Sequence, residues 1–216
     1  MTGLQDIAAV LFDLDGTLIE HTRPIIDLCA ETFDAFSGQL AALSSDRFWE
    51  TFWPKNHDLW YMVVDGVLGG DVARHYSFVN TLRALKADEN LAGPMLEDWE
   101  GRIMAATRLF EDTLPTLDRL RAAGLRLGIV TNGFTTVQTR KIRHHGLESQ
   151  VDFALIAEAV GCYKPARGMF DLALAQAGVS APRAVFVGDT PSSDVEGARK
   201  AGLHSVLMDP KDIWAG

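Results

Sequence analysis

Five short apolar runs, at residues 7–12, 125–130, 153–156, 184–187 and 205–208, set the strongest limit on what this chain can fold into, because helical patterns fill the spaces between the last four. Leu114, Leu117 and Leu120 recur at helical spacing, with Pro115 near the start and Gly124 past the end, the asymmetry expected of helix termini. The stretches 137–145, 169–176 and 194–201 behave alike, closed by Gly146, Gly178 and Gly202 where a left-handed residue ends a helix. Strand and helix therefore alternate. That order predicts an α/β fold with a mostly parallel sheet covered by helices on both faces, and ligands of such sheets bind beyond the carboxyl ends of the strands.

Residues 19–110 break the rhythm, since their apolar residues fall at helical spacing with no comparable strand. Ile25, Leu28, Cys29, Thr32, Phe33 and Phe36 form one stripe. Phe48, Trp49, Phe52 and Trp53 form a second, and Leu59, Trp60, Val63, Val64 and Val67 a third. Val72, His75, Tyr76, Val79 and Leu82 make a fourth, and Leu96, Trp99 and Ile103 a fifth. The simplest account is an all-helical domain, 19–110, inserted into a core made of 1–18 and 111–216, with a lid over the site as its expected role. Trp49, Trp53, Trp60 and Trp99 lie in this insertion, and core packing is their commoner role than stacking on a substrate.

A chain of 216 residues that is 47% hydrophobic can build a sizeable core, and its net charge of −9 disfavours a nucleic-acid polymer as partner. Cys29 and Cys162 are far apart and without CxxC spacing, so they read as small apolar residues rather than a disulfide or thiolate metal site. The run 7–12 is too short for a membrane span or a signal core, and Asp6 precedes it. The expectation is a soluble, cytoplasmic protein without a membrane partner. There is no internal repeat or low-complexity tract, and the pattern leaves the oligomeric state open.

The first run ends in Asp13-Leu14-Asp15-Gly16-Thr17-Leu18. Strand alternation would bring Asp13 and Asp15 out on one face, after which Gly16 allows a sharp turn. Two neighbouring carboxylates suit a division of labour in which one stays ionised as a nucleophile and the other carries a proton. A solvated turn is the alternative.

Three more polar clusters follow apolar runs. Thr131-Asn132-Gly133 offers a hydroxyl, an amide and backbone N–H groups before a helix, which suits an anion, although Thr and Asn also serve as N-caps. Lys164-Pro165 holds a lysine whose backbone the proline restricts. Gly188-Asp189-Thr190-Pro191-Ser192-Ser193-Asp194 carries two carboxylates of the kind magnesium takes, or else a helix start capped by Ser192 or Ser193. Together they supply what phosphoryl transfer needs: a nucleophile, a proton donor, cationic and hydrogen-bonding groups for the phosphate, and a metal.

In these four ordered motifs the chain resembles the haloacid dehalogenase superfamily, and 131–134 with 164–165 look like the branch of pyrimidine 5′-nucleotidases and related small-metabolite phosphatases. The resemblance implies a Rossmann-like core with a helical cap, magnesium, and a small phosphorylated metabolite as substrate. It implies that Asp13 attacks phosphorus and that Asp15 protonates the leaving oxygen and later activates water. It further implies that Thr131, Asn132 and Lys164 hold the phosphate. Asp13, the Asp15 carbonyl, Asp189 and Asp194 would bind the metal. Two departures are Ser193, where the family often has Asn, and Glu20, where it often has Asp.

Within the superfamily Asp15 favours phosphomonoester hydrolysis, since dehalogenation needs no acid for a leaving alcohol and dehalogenases usually lack this Asp. A nucleoside monophosphate phosphatase fits, and a sugar phosphomutase is the minor alternative. A phospho-accepting signalling module uses similar residues, but in another order along the chain and without a large helical insertion.

Overall fold

The computed structural model describes residues 6–40 and 43–209. Strand β1 (Ala9–Phe12) is followed by β2 (Ile19–His21), then by helices α1 (Ile25–Ala35), α2 (Ser45–Val64), α3 (Gly70–Ala84) and α4 (Ala92–Ala105). Next, β3 (Thr107–Leu109) pairs with β2 in a two-stranded sheet. Alternation then sets in: α5 (Thr113–Ala122), β4 (Arg126–Thr131), α6 (Thr135–His144), β5 (Phe153–Ile156), a short α7 (Ala157–Val160), α8 (Arg167–Ala177) and β6 (Ala184–Gly188). A wide, π-type helical turn over Pro191–Glu196 leads into α9 (Gly197–Ala201) and β7 (His204–Leu207). The chain forms two compact units, Met1–Glu20 with Arg108–Gly216, and His21–Thr107.

The first unit is built on a five-stranded sheet in the order β5-β4-β1-β6-β7, every pairing parallel. This is the α/β architecture expected from the alternating pattern. Phe12 stands opposite Ile129 on β4 and Val187 on β6, so β4 continues two residues and β6 one residue past the end of β1. The chain runs outward from β1 through β4 and β5, then returns to the other side for β6 and β7. A crevice opens at such a reversal, beyond the carboxyl ends.

Both faces of the central strands are covered, which is why these read as unbroken apolar runs, whereas the edge strand β7 is largely exposed among the described residues. Ala9 and Leu11 pack with Met169, Phe170, Ala173 and Ala198 on one side. Val10 and Phe12 pack with Leu117, Ile129 and Ile142 on the other. The glycines expected to close helices adopt left-handed backbone, with φ of +78° at Gly124, +67° at Gly146, +69° at Gly178 and +92° at Gly202. Leu114 departs from its stripe and faces outward.

The second unit differs from its sequence reading in three respects. Four α-helices are present in this unit among the described residues rather than five stripes' worth, because α2 runs unbroken through Pro54 and carries the second stripe and all of the third but Val67, which lies past its end and is exposed. Phe52 before the polar run 54–58 and Leu59 after it are both buried, and that burial outweighs the poor helix propensity of the proline. In α3, Val72 and Tyr76 are exposed while Ala73, Ser77 and Phe78 are buried, so its inner face is rotated from the expected stripe. Finally, β2 and β3 are three residues each, too short for periodicity to reveal.

Aromatic rings fill this helical core. Phe52 lies 4.8 Å from Phe78 and edge-on to Trp99 at 5.7 Å, and Phe48 lies 5.7 Å from Phe33. Trp99 is part of the core, whereas Trp53 is exposed and stacks on Trp49 at 4.9 Å. Cys29 sits in the same core, and burial pushes its thiol up to about 12, which leaves it unreactive. Among the described residues no helix is long and apolar enough to cross a membrane. Trp214 lies outside the described residues.

Candidate active site

Asp13 continues the line of β1 by one residue, its N–H donating to the Val187 carbonyl at 2.9 Å. Its carboxylate is buried, and the Lys164 ammonium donates to its Oδ1 at 2.6 Å. The same ammonium lies 2.8 Å from Asp194 Oδ1 and 5.2 Å above the Phe186 ring. Burial pushes the Asp13 carboxyl up to about 7 against the pull of Lys164, and the negative charges of Asp194 and Asp15 add to the rise. Burial works against the charged form of Lys164, but Asp13 and Asp194 outweigh it and hold that lysine above its ordinary value. The result is a permanent buried cation between two carboxylates.

Lys164 is held through its backbone. Asn132, just past β4, accepts from the Lys164 N–H through Oδ1 and donates to the Lys164 carbonyl through Nδ2, each at 2.9 Å. The Lys164–Pro165 peptide is cis. Neither Thr131 nor Asn132 caps α6: that helix starts at Thr135, whose N–H donates to Glu158 Oε2 at 2.6 Å. Thr131 is buried at the strand end, its hydroxyl accepting from Gln138 Nε2 at 2.8 Å.

Asp15 lies past the end of the strand, so alternation does not itself set its direction, and it lines the same cavity as Asp13. The strand ends at Phe12 and the chain bends at Leu14, turning the Asp15 carboxylate toward α6. There Lys141 Nζ donates to Oδ1 at 2.6 Å and Gln138 Nε2 to Oδ2 at 2.8 Å. Neither residue stands out in the sequence. The signal, visible only afterwards, is a pair of polar residues three apart that share a buried helix face with Ile142.

The fourth cluster is organised around Asp194. Its Oδ2 accepts from the Thr190 N–H at 3.0 Å and its Oδ1 from the Ser193 hydroxyl at 3.2 Å, so Ser193 serves the carboxylate, and no serine side chain caps the turn. The wide turn at Pro191–Glu196 is a form that recurs at functional sites. Gly188 lets Asp194 approach, since a Cβ there would lie 2.5 Å from it. Gly16, at φ +82°, likewise leaves room for the Asp189 carboxylate against the bend after β1. Burial raises the Asp189 carboxyl above its usual range, with Asp194 adding and Thr190 opposing. Glu20 lies apart, ion-paired with Arg108 at 2.6 Å.

Asp13, Asp15, Thr131, Asn132, Lys164, Asp189 and Asp194, every residue the sequence nominates, line one cavity of about 240 Å³, joined by Thr190 and Ser193. Asp13, Asp189 and Asp194 each offer a carboxylate oxygen within 4.8 Å of the others. Three carboxylates share the single Lys164 ammonium, which meets Asp13 and Asp194, and this all-oxygen donor set fits a hard divalent cation, since magnesium needs few protein carboxylates because it keeps waters. The fit of the site to magnesium is therefore good.

Fold and site define a protein of the Rossmann-like α/β class with carboxylates gathered at a sheet switch point. Residues 7–202 match the haloacid dehalogenase-like hydrolases, and the chain belongs to that family. It is 32% identical to a ribulose-1,5-bisphosphate 5-phosphatase of Halopiger xanaduensis over 94% of this chain and 85% of the relative. It is 27% identical to the pyrimidine 5′-nucleotidase YjjG of Escherichia coli over 92% of this chain and 84% of that protein. Among solved structures, a 2-haloacid dehalogenase from Pseudomonas syringae superposes with a TM-score of 0.69 at 28% identity, covering 93% of this chain and 86% of the other.

Proposed function

We propose that this protein is a magnesium-dependent phosphomonoesterase that hydrolyses small phosphorylated metabolites through a phosphoryl group carried on Asp13, with nucleoside 5′-monophosphates among its substrates. The observation that carries the reading is the buried Lys164 ammonium, 2.6 Å from Asp13 and 2.8 Å from Asp194, in a cavity that Thr131 also lines. A carboxylate nucleophile must approach an anionic phosphate, and a fixed buried cation beside it lowers that repulsion.

In the first half-reaction an Asp13 oxygen attacks phosphorus, the bond to the leaving oxygen breaks, and Asp15 gives that oxygen a proton. In the second, Asp15 takes a proton from water, whose oxygen attacks the same phosphorus and frees Asp13 and inorganic phosphate. Thr131 and Lys164 hold the transferring oxygens, and Asn132 sets the lysine. Asp13, Asp189 and Asp194, with the Asp15 carbonyl, would hold magnesium, which supplies positive charge against the phosphoryl oxygens. The helical unit His21–Thr107 is read as the substrate-selecting cap, because the chain enters it shortly after Asp15.

The related dehalogenase raises the alternative of attack on carbon. A halide leaves without a proton, so an acid at the second motif position would have no task there, and Asp15 favours an oxygen leaving group. The two phosphatase relatives act, by name, on a sugar bisphosphate and on nucleotides. The test is phosphate release with magnesium from ribulose 1,5-bisphosphate, nucleoside 5′-monophosphates, sugar monophosphates and p-nitrophenyl phosphate, compared by kcat/KM, with chloride release from 2-chloropropionate alongside. Turnover of phosphate esters that Asp13→Asn abolishes is the expected result. Chloride release without phosphate release, or a long-lived phosphoprotein without turnover, would defeat the reading.

A further inference from the structure

One helix holds the Asp15 carboxylate by both of its oxygens. From α6, Lys141 Nζ donates to Oδ1 at 2.6 Å and Gln138 Nε2 to Oδ2 at 2.8 Å. Lys141 is 5% exposed and Gln138 3% exposed, while the Asp15 side chain keeps 29% exposure. Lysine and glutamine are seldom buried to that degree, and an ammonium is costly to bury without a fixed partner. The contact of α6 with the sheet core is made by Ile142, so packing alone does not call for either polar side chain.

Gln138 also reaches beyond Asp15. Its Nε2 lies 2.8 Å from the Thr131 hydroxyl and 3.2 Å from the Asn132 carbonyl, so two amide protons are shared among three acceptors. The path is cleared by Gly133: its φ is +141°, and a Cβ there would lie 2.9 Å from Gln138 Cγ. A single amide thus ties the end of β4 to the carboxylate beyond the end of β1.

We infer that Gln138 and Lys141 are positioning residues that set the Asp15 carboxylate for proton transfer to the leaving oxygen. The inference rests on the phosphatase reading given above. A free aspartate side chain turns about two bonds, whereas a general acid must come within about 2.6–3.2 Å of the atom it serves. Lys141 and Gln138 each hold one carboxylate oxygen and so fix the plane of the group. Gln138 in addition keeps a constant spacing between Asp15 and Thr131, the hydroxyl assigned to the transferring phosphate. Their separation of three residues puts both donors on one face of α6.

A purely structural tie between α6 and the bend at Leu14 would affect every substrate alike. Positioning of an acid would not, because a nitrophenolate departs without a proton and an alkoxide does not. The experiment compares p-nitrophenyl phosphate with the best alkyl phosphate of the substrate panel, with magnesium, for native protein, Lys141→Met, Gln138→Leu, Asp15→Asn and the double variant Lys141→Met with Asp15→Asn. Each single variant at 138 or 141 is expected to lower kcat/KM, which reports the first half-reaction alone, by about ten-fold more on the alkyl ester than on the nitrophenyl ester, whereas any loss in the second half-reaction is common to both esters and enters kcat only. Lys141→Met should add no further loss to Asp15→Asn, as expected when one residue acts through the other. Lys141→Arg should recover part of the alkyl activity.

Equal losses in kcat/KM on both esters, or full additivity in the double variant, would overturn the inference. If Lys141→Met melts below the assay temperature, Gln138→Leu carries the same comparison without removing a charge. Native protein that hydrolyses no phosphate ester, or Asp13→Asn that stays active, defeats the phosphatase reading itself. An active native enzyme whose variants keep the native ratio of the two esters defeats only the positioning role.

Discussion

The Asn132 side chain closes on the Lys164 backbone from both sides, accepting from its N–H and donating to its carbonyl, each at 2.9 Å. Asn132 follows β4, and Lys164 lies on the loop between α7 and α8. This pairing therefore joins two sheet-end segments and sets where the Lys164 ammonium stands, 2.6 Å from Asp13.

Asn132→Ala should consequently weaken the enzyme without touching the nucleophile. It strips two partners from a buried peptide, and a buried polar group left unmet costs about 1–3 kcal/mol. A fall in melting temperature and a loss of about ten- to a hundred-fold in kcat are expected, since small misplacements of a charged group are costly in catalysis. Asn132→Asp keeps the acceptor and should lose less stability. Calorimetry and steady-state kinetics on both variants check this.

Lys164→Met should make stability depend on pH in the opposite sense to most carboxylate sites. Without the ammonium, Asp13 and Asp194 remain as two buried carboxylates, and breaking such a buried pair costs about 3–5 kcal/mol. Asp13 is raised to about 7 even with Lys164 present, so its folded-state value lies above its unfolded one. The stabilisation it contributes is then fully present below the unfolded value and lost as pH rises through the folded value. The variant should melt closest to native protein near pH 5 and fall furthest behind it near pH 8. A difference from native that is constant across pH would contradict the account.

Much of this site was legible in the sequence for a physical reason. Strands buried on both faces read as unbroken apolar runs, and the polar residues after them fall where parallel sheets collect ligands. Asp13, Thr131, Lys164 and Asp194 could thus be nominated without coordinates, and all four line one cavity. Gln138 and Lys141 could not, because a glutamine and a lysine three apart on a helix resemble any solvated face. In the fold both are buried with their polar ends on the Asp15 carboxylate, which lies past the bend at Leu14. The partner of Asn132 was hidden as well, since it is a backbone 32 residues away. In the helical unit, the polar run beginning at Pro54 concealed that one helix carries two apolar stripes.

Magnesium binding should strengthen as pH rises through about 7, where the buried Asp13 carboxyl loses its proton. A carboxylic acid must deprotonate to become a ligand, so binding should release protons below that pH and almost none well above it. Titration calorimetry at pH 6 and pH 8, each in two buffers of different ionisation enthalpy, measures this directly. Affinity should be about ten-fold higher at pH 8, in proportion to the fraction of Asp13 already ionised. Equal affinity and no proton release at pH 6 would show that Asp13 is already ionised there or does not ligate.

Gly188→Ala should damage the site through a single methyl group. A Cβ at this last residue of β6 would come 2.5 Å from the Asp194 side chain, far inside van der Waals contact. Asp194 has little freedom to yield, because Lys164 Nζ and the Thr190 N–H hold one carboxylate oxygen each. Either Asp194 leaves those partners or the end of β6 shifts, and overpacking of this kind costs about 1–3 kcal/mol. Magnesium affinity should fall with it, since Asp194 is one of the three carboxylates grouped for the ion. Gly101→Ala, on α4 with nothing within 4 Å of the new Cβ, is the contrast. That change should raise stability by roughly 0.5–1 kcal/mol, because glycine inside a helix carries an entropic cost that alanine does not. Melting curves and magnesium titrations of the two variants side by side separate a steric effect on Asp194 from the general effect of adding a methyl group.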